Sequence, residues 1–185
     1  KLMTIKHDSD FFLHKLKSGE RIDIPFNKSA LIFGNMQSEI IISFFLSFNC
    51  SSCVILFETI RKMIENTIKI KIQFVFSSPN DDMSEKLLKI ISSKMGIENK
   101  NEAFQILKNW YNSDIVTKAN MLNKYETPAD NEEYEAMIRY NAMIFQIGEI
   151  TKVPLIYING FPLQSIYSVE EISYHIPELI KTKCF

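Results

Sequence analysis

The chain has 185 residues, 46% of them hydrophobic and 23% charged, which is enough for one domain with a sizeable core. Its net charge of −1 gives no electrostatic case for nucleic acid or an anionic membrane surface as a partner. No apolar stretch approaches the roughly 20 residues that span a bilayer, and three cysteines are too few for a disulfide scaffold. The chain starts at Lys1 with no initiator Met and no basic-then-apolar leader, so it is expected to be a processed or excised piece.

In chain order, Asp8–Lys17 reads as a short amphipathic helix ending at Gly19, with Phe11, Phe12, Leu13 and Leu16 on its apolar side. Ile22-Asp23-Ile24 alternates as a strand does, and Ser29–Gly34 reads as a strand running into a Gly34-Asn35 turn. Glu39–Ser47 is a buried strand. After Cys53, the spacing of Ile55, Leu56, Ile60, Met63 and Ile64 predicts a helix to about Asn66. Lys69–Phe76 alternates and is rich in β-formers, so strand, helix and strand make a right-handed βαβ unit with parallel strands.

The middle of the chain is helical. The apolar spacing predicts helices over Asp81–Met95 with a stop at Gly96, Glu102–Tyr111, Asp114–Tyr125 and Ala129–Ile150. Asp81-Asp82 and Glu132-Glu133 are solvated helix starts favoured by the helix dipole. Thr151-Lys152-Val153-Pro154 breaks the pattern, Leu155–Ile158 is a strand, and Asn159-Gly160 signals a hairpin leading into Phe161-Pro162-Leu163. Ser168-Val169-Glu170-Glu171 has the spacing of a capping box and opens a last helix to about Lys181. The fold class is therefore α/β, a mixed central sheet with an all-helical insertion.

Cys50-Ser51-Ser52-Cys53 carries the chemistry. A buried strand delivers this C-x-x-C to a helix start, where unpaired N–H groups and the helix dipole favour a thiolate. The spacing lets one sulfur attack a disulfide and the other resolve the mixed disulfide. Zinc would need further ligands at a suitable spacing, and His7, His14, His175 and Cys184 do not supply one, so no metal is expected. A purely structural disulfide would close too small a loop to add much stability. Cys184 reads as a lone thiol on a frayed terminus and His175 as a surface residue. Trp110-Tyr111 could line a peptide groove but fits the insertion's core better, and Met121, Met137 and Met143 read as gap-fillers.

Phe44–Cys53 together with Lys152–Gly160 resembles the active-site strand, helix start, proline loop, strand and turn of the thioredoxin superfamily, in its DsbA-like branch with a helical insertion. The resemblance implies a single thioredoxin-like domain over residues 1–185, with its core at about 29–80 and 151–181 and its insertion at about 81–150. It implies that Cys50 is the exposed nucleophile, Cys53 the buried resolving thiol, and Ser51 and Ser52 the active-site dipeptide. Pro154 would be cis against the disulfide, with Val153 offering backbone groups to an extended substrate strand. Protein thiols and disulfides would be the partners, and no cofactor is needed. Tyr167–Ile172, following Asn159–Leu163, is similar to the ending of bacterial thioredoxin-like domains fused to vitamin K epoxide reductase homologues. That similarity implies an extracytoplasmic location and a membrane redox partner of that kind.

The chain also departs from the family. Phe44 stands six residues before Cys50, where many members carry a buried acid, so proton handling must use water or another group. Ser-Ser replaces the Pro-His of strong oxidants, and Val54 replaces a frequent lysine. Both imply a less oxidising couple than the roughly −120 mV of the strongest members. Two other readings compete: a redox-inert thioredoxin-like module that binds a partner near Pro154, and a glutathione S-transferase-like or isomerase-like domain. The paired cysteines argue against the transferase.

Overall fold

The computed structural model describes residues 6–25, 27, 29–66, 69–95, 100–128 and 132–182. Cys184, the Gly96 helix stop and the Ala129 helix start lie outside the described residues. The elements in chain order are α1 (Ser9–Lys17), β1 (Leu31–Gly34), β2 (Ile41–Leu46), α2 (Ser51–Asn66), β3 (Lys71–Phe76), α3 (Asp82–Ser93) and α4 (Lys100–Tyr111). They continue with α5 (Ile115–Leu122), α6 (Glu132–Ile147), β4 (Leu155–Ile158), β5 (Phe161–Pro162) and α7 (Val169–Thr182).

The five strands form one mixed sheet in the order β1-β3-β2-β4-β5. β2 and β3 run parallel across α2, as the βαβ pattern requires, and the remaining pairs are antiparallel. Strand alternation divides the central residues between two faces. Ile42, Phe44 and Leu46 of β2, with Ile72, Phe74 and Phe76 of β3, join the main core with α1, α2, α3, α4 and α7. Phe45 and Val75 point the other way, toward Tyr140 and Ile144 of α6. On that second face Ser43 and Gln73 are register partners and would be orphaned polar groups. They bond each other, and Gln73 Nε2 donates to Tyr140 Oη, which donates to the carbonyl of Pro25.

Local chemistry sets the helix boundaries. The side chains of Asp8, Asp81 and Asp114 accept the N–H groups of Phe11, Ser84 and Thr117, so each is an N-cap. The Ser168 N–H donates to Glu171 Oε2 at 2.7 Å, half of the capping box expected there. Asn159 and Gly160 both have positive φ, 48° and 85°, as a tight hairpin turn demands. A Cβ on Gly160 would also collide with the Ile22 carbonyl. Ile22-Asp23-Ile24 is not a strand. The Ile22 N–H donates to the Gly160 carbonyl at 2.9 Å, which ties the segment to the hairpin turn and leaves it irregular. Met121 and Met137 are buried as expected, but Met143 is exposed because it lies on the outer side of α6. Among the described residues no helix is long and apolar enough to cross a membrane.

His175 is not a surface residue. It is fully buried on α7, stacked on Phe12 of α1 with ring centroids 4.1 Å apart and the rings nearly parallel at 5°. Its Nδ1 meets Ser9 Oγ at 3.0 Å and its Nε2 meets the Lys6 carbonyl at 2.9 Å. The docking of α1 across α7 buries it, and no local pattern announces that contact. Burial above all, helped by nearby His7, holds the imidazole below its ordinary range, against the opposing pull of the Lys6 carbonyl, Glu171 and Asp8. The unfolded chain therefore binds this proton first, so stability is lost as pH falls below about 6.5. Glu171, held below the usual carboxylate range by the Ser168 N–H and Lys6, gives up its share only at lower pH. Melting temperatures measured from pH 7 to 5 are expected to fall, and to fall less in His175→Gln.

Candidate dithiol site

β2 ends at Leu46, the loop Ser47-Phe48-Asn49 turns, and Cys50 caps α2. The Cys50 carbonyl accepts the N–H groups of Cys53 and Val54 at 3.0 and 3.2 Å. Its Sγ also accepts the Cys53 N–H at 3.2 Å, the place a serine or threonine Oγ takes in an ordinary N-cap. A first-turn donor and the helix dipole thus both act on the Cys50 sulfur. Cys50 is half-buried and its sulfur lies 3.9 Å from the carbonyl of Val153. The Val153–Pro154 peptide bond is cis. Both cysteines are free thiols.

Cys53 sits one turn further in and is 0% exposed. Burial pushes its thiol up to about 12, helped by the hydrogen bond and charge of Cys50 and opposed by the Ser47 N–H, which donates to Cys53 Sγ at 3.5 Å. Phe44 is fully buried, its ring centroid 6.1 Å from that of Phe74, so the position six residues before Cys50 is apolar. Val54 packs against the core, and Ser51 and Ser52 are exposed on the first turn.

Two depressions flank Cys50. On one side a groove of about 410 Å³ runs between α2 and the proline loop, with Ser52, Ile55, Pro154, Leu155 and Tyr167 in its lining. Ile55 is 74% exposed there, although the helical spacing had placed it on the apolar face. On the other side a cleft of about 700 Å³ opens between the loop and the insertion, walled by Asn49, Asp81, Asp82, Trp110, Ile115 and Lys118. Lys118 Nζ stands 4.6 Å from the centre of the Trp110 ring.

The structure brings Cys50, Ser51, Ser52, Cys53, Val153 and Pro154 together. It adds contacts that no local pattern announces. Trp110 and Tyr111 are core residues, as expected, but each also bonds the loop before Cys50. Trp110 Nε1 donates to the Phe48 carbonyl at 2.9 Å and Tyr111 Oη to the Ser47 carbonyl at 3.2 Å. Asn49 Nδ2 donates to Asp81 Oδ2 at 2.5 Å. Among the described residues no group of three His, Cys, Asp or Glu side chains is placed to hold a metal ion.

A mixed five-stranded sheet with a C-x-x-C at the start of its central helix and helices inserted between β3 and β4 is the thioredoxin-like fold of the DsbA-like type. The chain belongs to the thioredoxin family, whose sequence model matches residues 27–178. Solved structures share the architecture at low identity. A periplasmic thioredoxin-like protein from Salmonella enterica serovar Typhimurium is 12% identical with a TM-score of 0.68, over 85% of this chain and 94% of that one. The thiol-disulfide exchange protein alpha-DsbA2 from Wolbachia pipientis is 16% identical with a TM-score of 0.66, over 94% and 97%. BdbD from Bacillus subtilis is 18% identical with a TM-score of 0.60, over 89% and 96%. No curated protein sequence matches the chain closely enough to count.

Proposed function

We propose that the chain is an extracytoplasmic thiol–disulfide oxidoreductase, built as one domain, that works through Cys50 and Cys53. The observation that carries this reading is the pair itself: a reachable sulfur on a helix N-cap, a buried sulfur one turn below it, and the Val153 carbonyl beside the first. In reduction, Cys50 Sγ attacks a substrate disulfide, an S–S bond forms to the substrate, and the other substrate sulfur leaves as a thiolate. Cys53 then attacks Cys50 Sγ, the second substrate thiolate leaves, and the pair has given up two electrons and two protons. Oxidation of a substrate dithiol runs the same steps in reverse.

Val153 and Pro154 act on the substrate. The Val153 carbonyl accepts from an extended peptide laid along the proline loop, and the adjoining groove takes its apolar side chains. The partners are protein thiols and disulfides. On the similarity of the chain's ending, the membrane partner is a vitamin K epoxide reductase-like protein. The Wolbachia neighbour is a thiol-disulfide exchange protein and the Salmonella neighbour a periplasmic one, which supports both the chemistry and the location. Equilibration with glutathione buffers is the test: a single two-electron couple at Cys50–Cys53 is expected.

A further inference from the structure

We propose that the helical insertion sets the reactivity of the resolving thiol, with Tyr111 as the positioning residue that keeps the Ser47 N–H on Cys53 Sγ. This rests on the exchange reading above. The geometry is a clamp. All three loop residues between β2 and Cys50 are bonded from the insertion: the carbonyl of Ser47 by Tyr111, that of Phe48 by Trp110, and the side chain of Asn49 by Asp81 and Ser84. Ser47 is also the residue whose N–H reaches Cys53. That N–H belongs to the preceding peptide, whose Leu46 carbonyl accepts the Ser77 N–H at 2.9 Å, so the end of β3 fixes one side of Ser47 and Tyr111 fixes the other. Tyr111 is 2% exposed and stacked on Phe57 at 4.7 Å, so its hydroxyl is held in place from within the core.

The clamp holds a donor on the resolving sulfur and supplies no proton acceptor. Resolution needs the Cys53 thiolate, and the apolar surroundings oppose it. The Ser47 N–H is the contact that works the other way. Tyr111 cannot itself take the proton as a base. Burial above all, then the charges of Cys53 and Cys50, push its phenol well above the ordinary range, so it remains a donor. Its part is to fix the loop. The proton that Cys53 loses as its sulfur attacks Cys50 Sγ is balanced by the thiolate that leaves.

Reaction of the reduced chain with the chromogenic disulfide of 5-thio-2-nitrobenzoate separates the two sulfurs. Attack by Cys50 releases the first thionitrobenzoate and leaves a mixed disulfide. Attack by Cys53 on Cys50 Sγ then forms the internal disulfide and releases the second. In Tyr111→Phe, which keeps the ring stack, the second release is expected to slow roughly three- to tenfold, the effect of losing a hydrogen bond of this kind. The first release is expected to be unchanged. The pH profile of the second release should move up by as much as about one unit, the same factor expressed as proton affinity. Asn49→Ala is expected to act in the same direction and carries the test if Tyr111→Phe does not fold. Asn112→Ala cuts a different tie, from the residue after α4 to Glu58 of α2, and is expected to leave both phases alone. A second phase in Tyr111→Phe equal to that of the parent chain at every pH overturns the clamp, and so does equal slowing in Asn112→Ala. A parent chain with no second release overturns the exchange reading and the clamp with it.

Discussion

Replacing Cys53 with serine is expected to stop turnover while leaving the first attack intact. Cys50 still reaches a substrate disulfide, but no second sulfur stands behind it, so the mixed disulfide accumulates. Steady-state disulfide exchange should fall by on the order of 100-fold or more, because escape then depends on an external thiol. The fold should tolerate the change. Serine is close to cysteine in size, and its hydroxyl can accept the Ser47 N–H that Cys53 Sγ now receives. The cost is put at about 1 kcal/mol, the typical effect of a point substitution. Intact-mass analysis after addition of a disulfide peptide checks the outcome: one adduct, on Cys50, stable until dithiothreitol is added. Rapid turnover by Cys53→Ser would mean that Cys53 is not the resolving thiol.

Trp110→Ala is expected to be the most destabilising change near the site. Trp110 is 1% exposed, packs edge-on to Phe48 at 6.4 Å and satisfies the Phe48 carbonyl. Truncation leaves a cavity worth about 3–5 kcal/mol and strips a buried carbonyl of its donor. At roughly 2–4 °C per kcal/mol for a chain of this size, the melting temperature should drop by about 10 °C or more. Trp110→Phe keeps one aromatic ring but loses the indole N–H and part of the ring volume, so a smaller loss of about 2 kcal/mol is expected. Thermal unfolding followed by far-ultraviolet circular dichroism compares the two. Equal, small shifts for both variants would show that the ring does not hold the insertion against the active-site loop.

The parts of the fold that were legible in the sequence are those whose signal is local. The alternation of Lys69–Phe76, the 3.6-residue period after Cys53 and the Asn159-Gly160 turn each follow from short-range sterics and burial, and each matches the structure closely. The Asp81 and Ser168–Glu171 helix starts were legible for the same reason. What escaped depends on distant partners. Ile22–Ile24 alternates like a strand, yet its neighbour is a turn rather than a strand. His175 looks like any helix-surface histidine until α1 covers it. Ile55 keeps helical spacing but faces a groove. The same holds at the site. The C-x-x-C motif named the two sulfurs, while the Tyr111 and Trp110 bonds to Ser47 and Phe48 join residues more than 60 positions apart, and no spacing rule encodes them.

The Cys50–Cys53 couple is the centre of the account, and its equilibrium with glutathione is the most direct measurement of it. The fraction of oxidised chain, read by alkylation and mass as the ratio of reduced to oxidised glutathione is varied, should follow one two-electron transition. With Ser51-Ser52 between the cysteines and Phe44 beneath them, the midpoint should lie on the reducing side of the roughly −120 mV of the strongest oxidants. A chain in which Cys50 and Cys53 form no disulfide at any ratio would contradict the account.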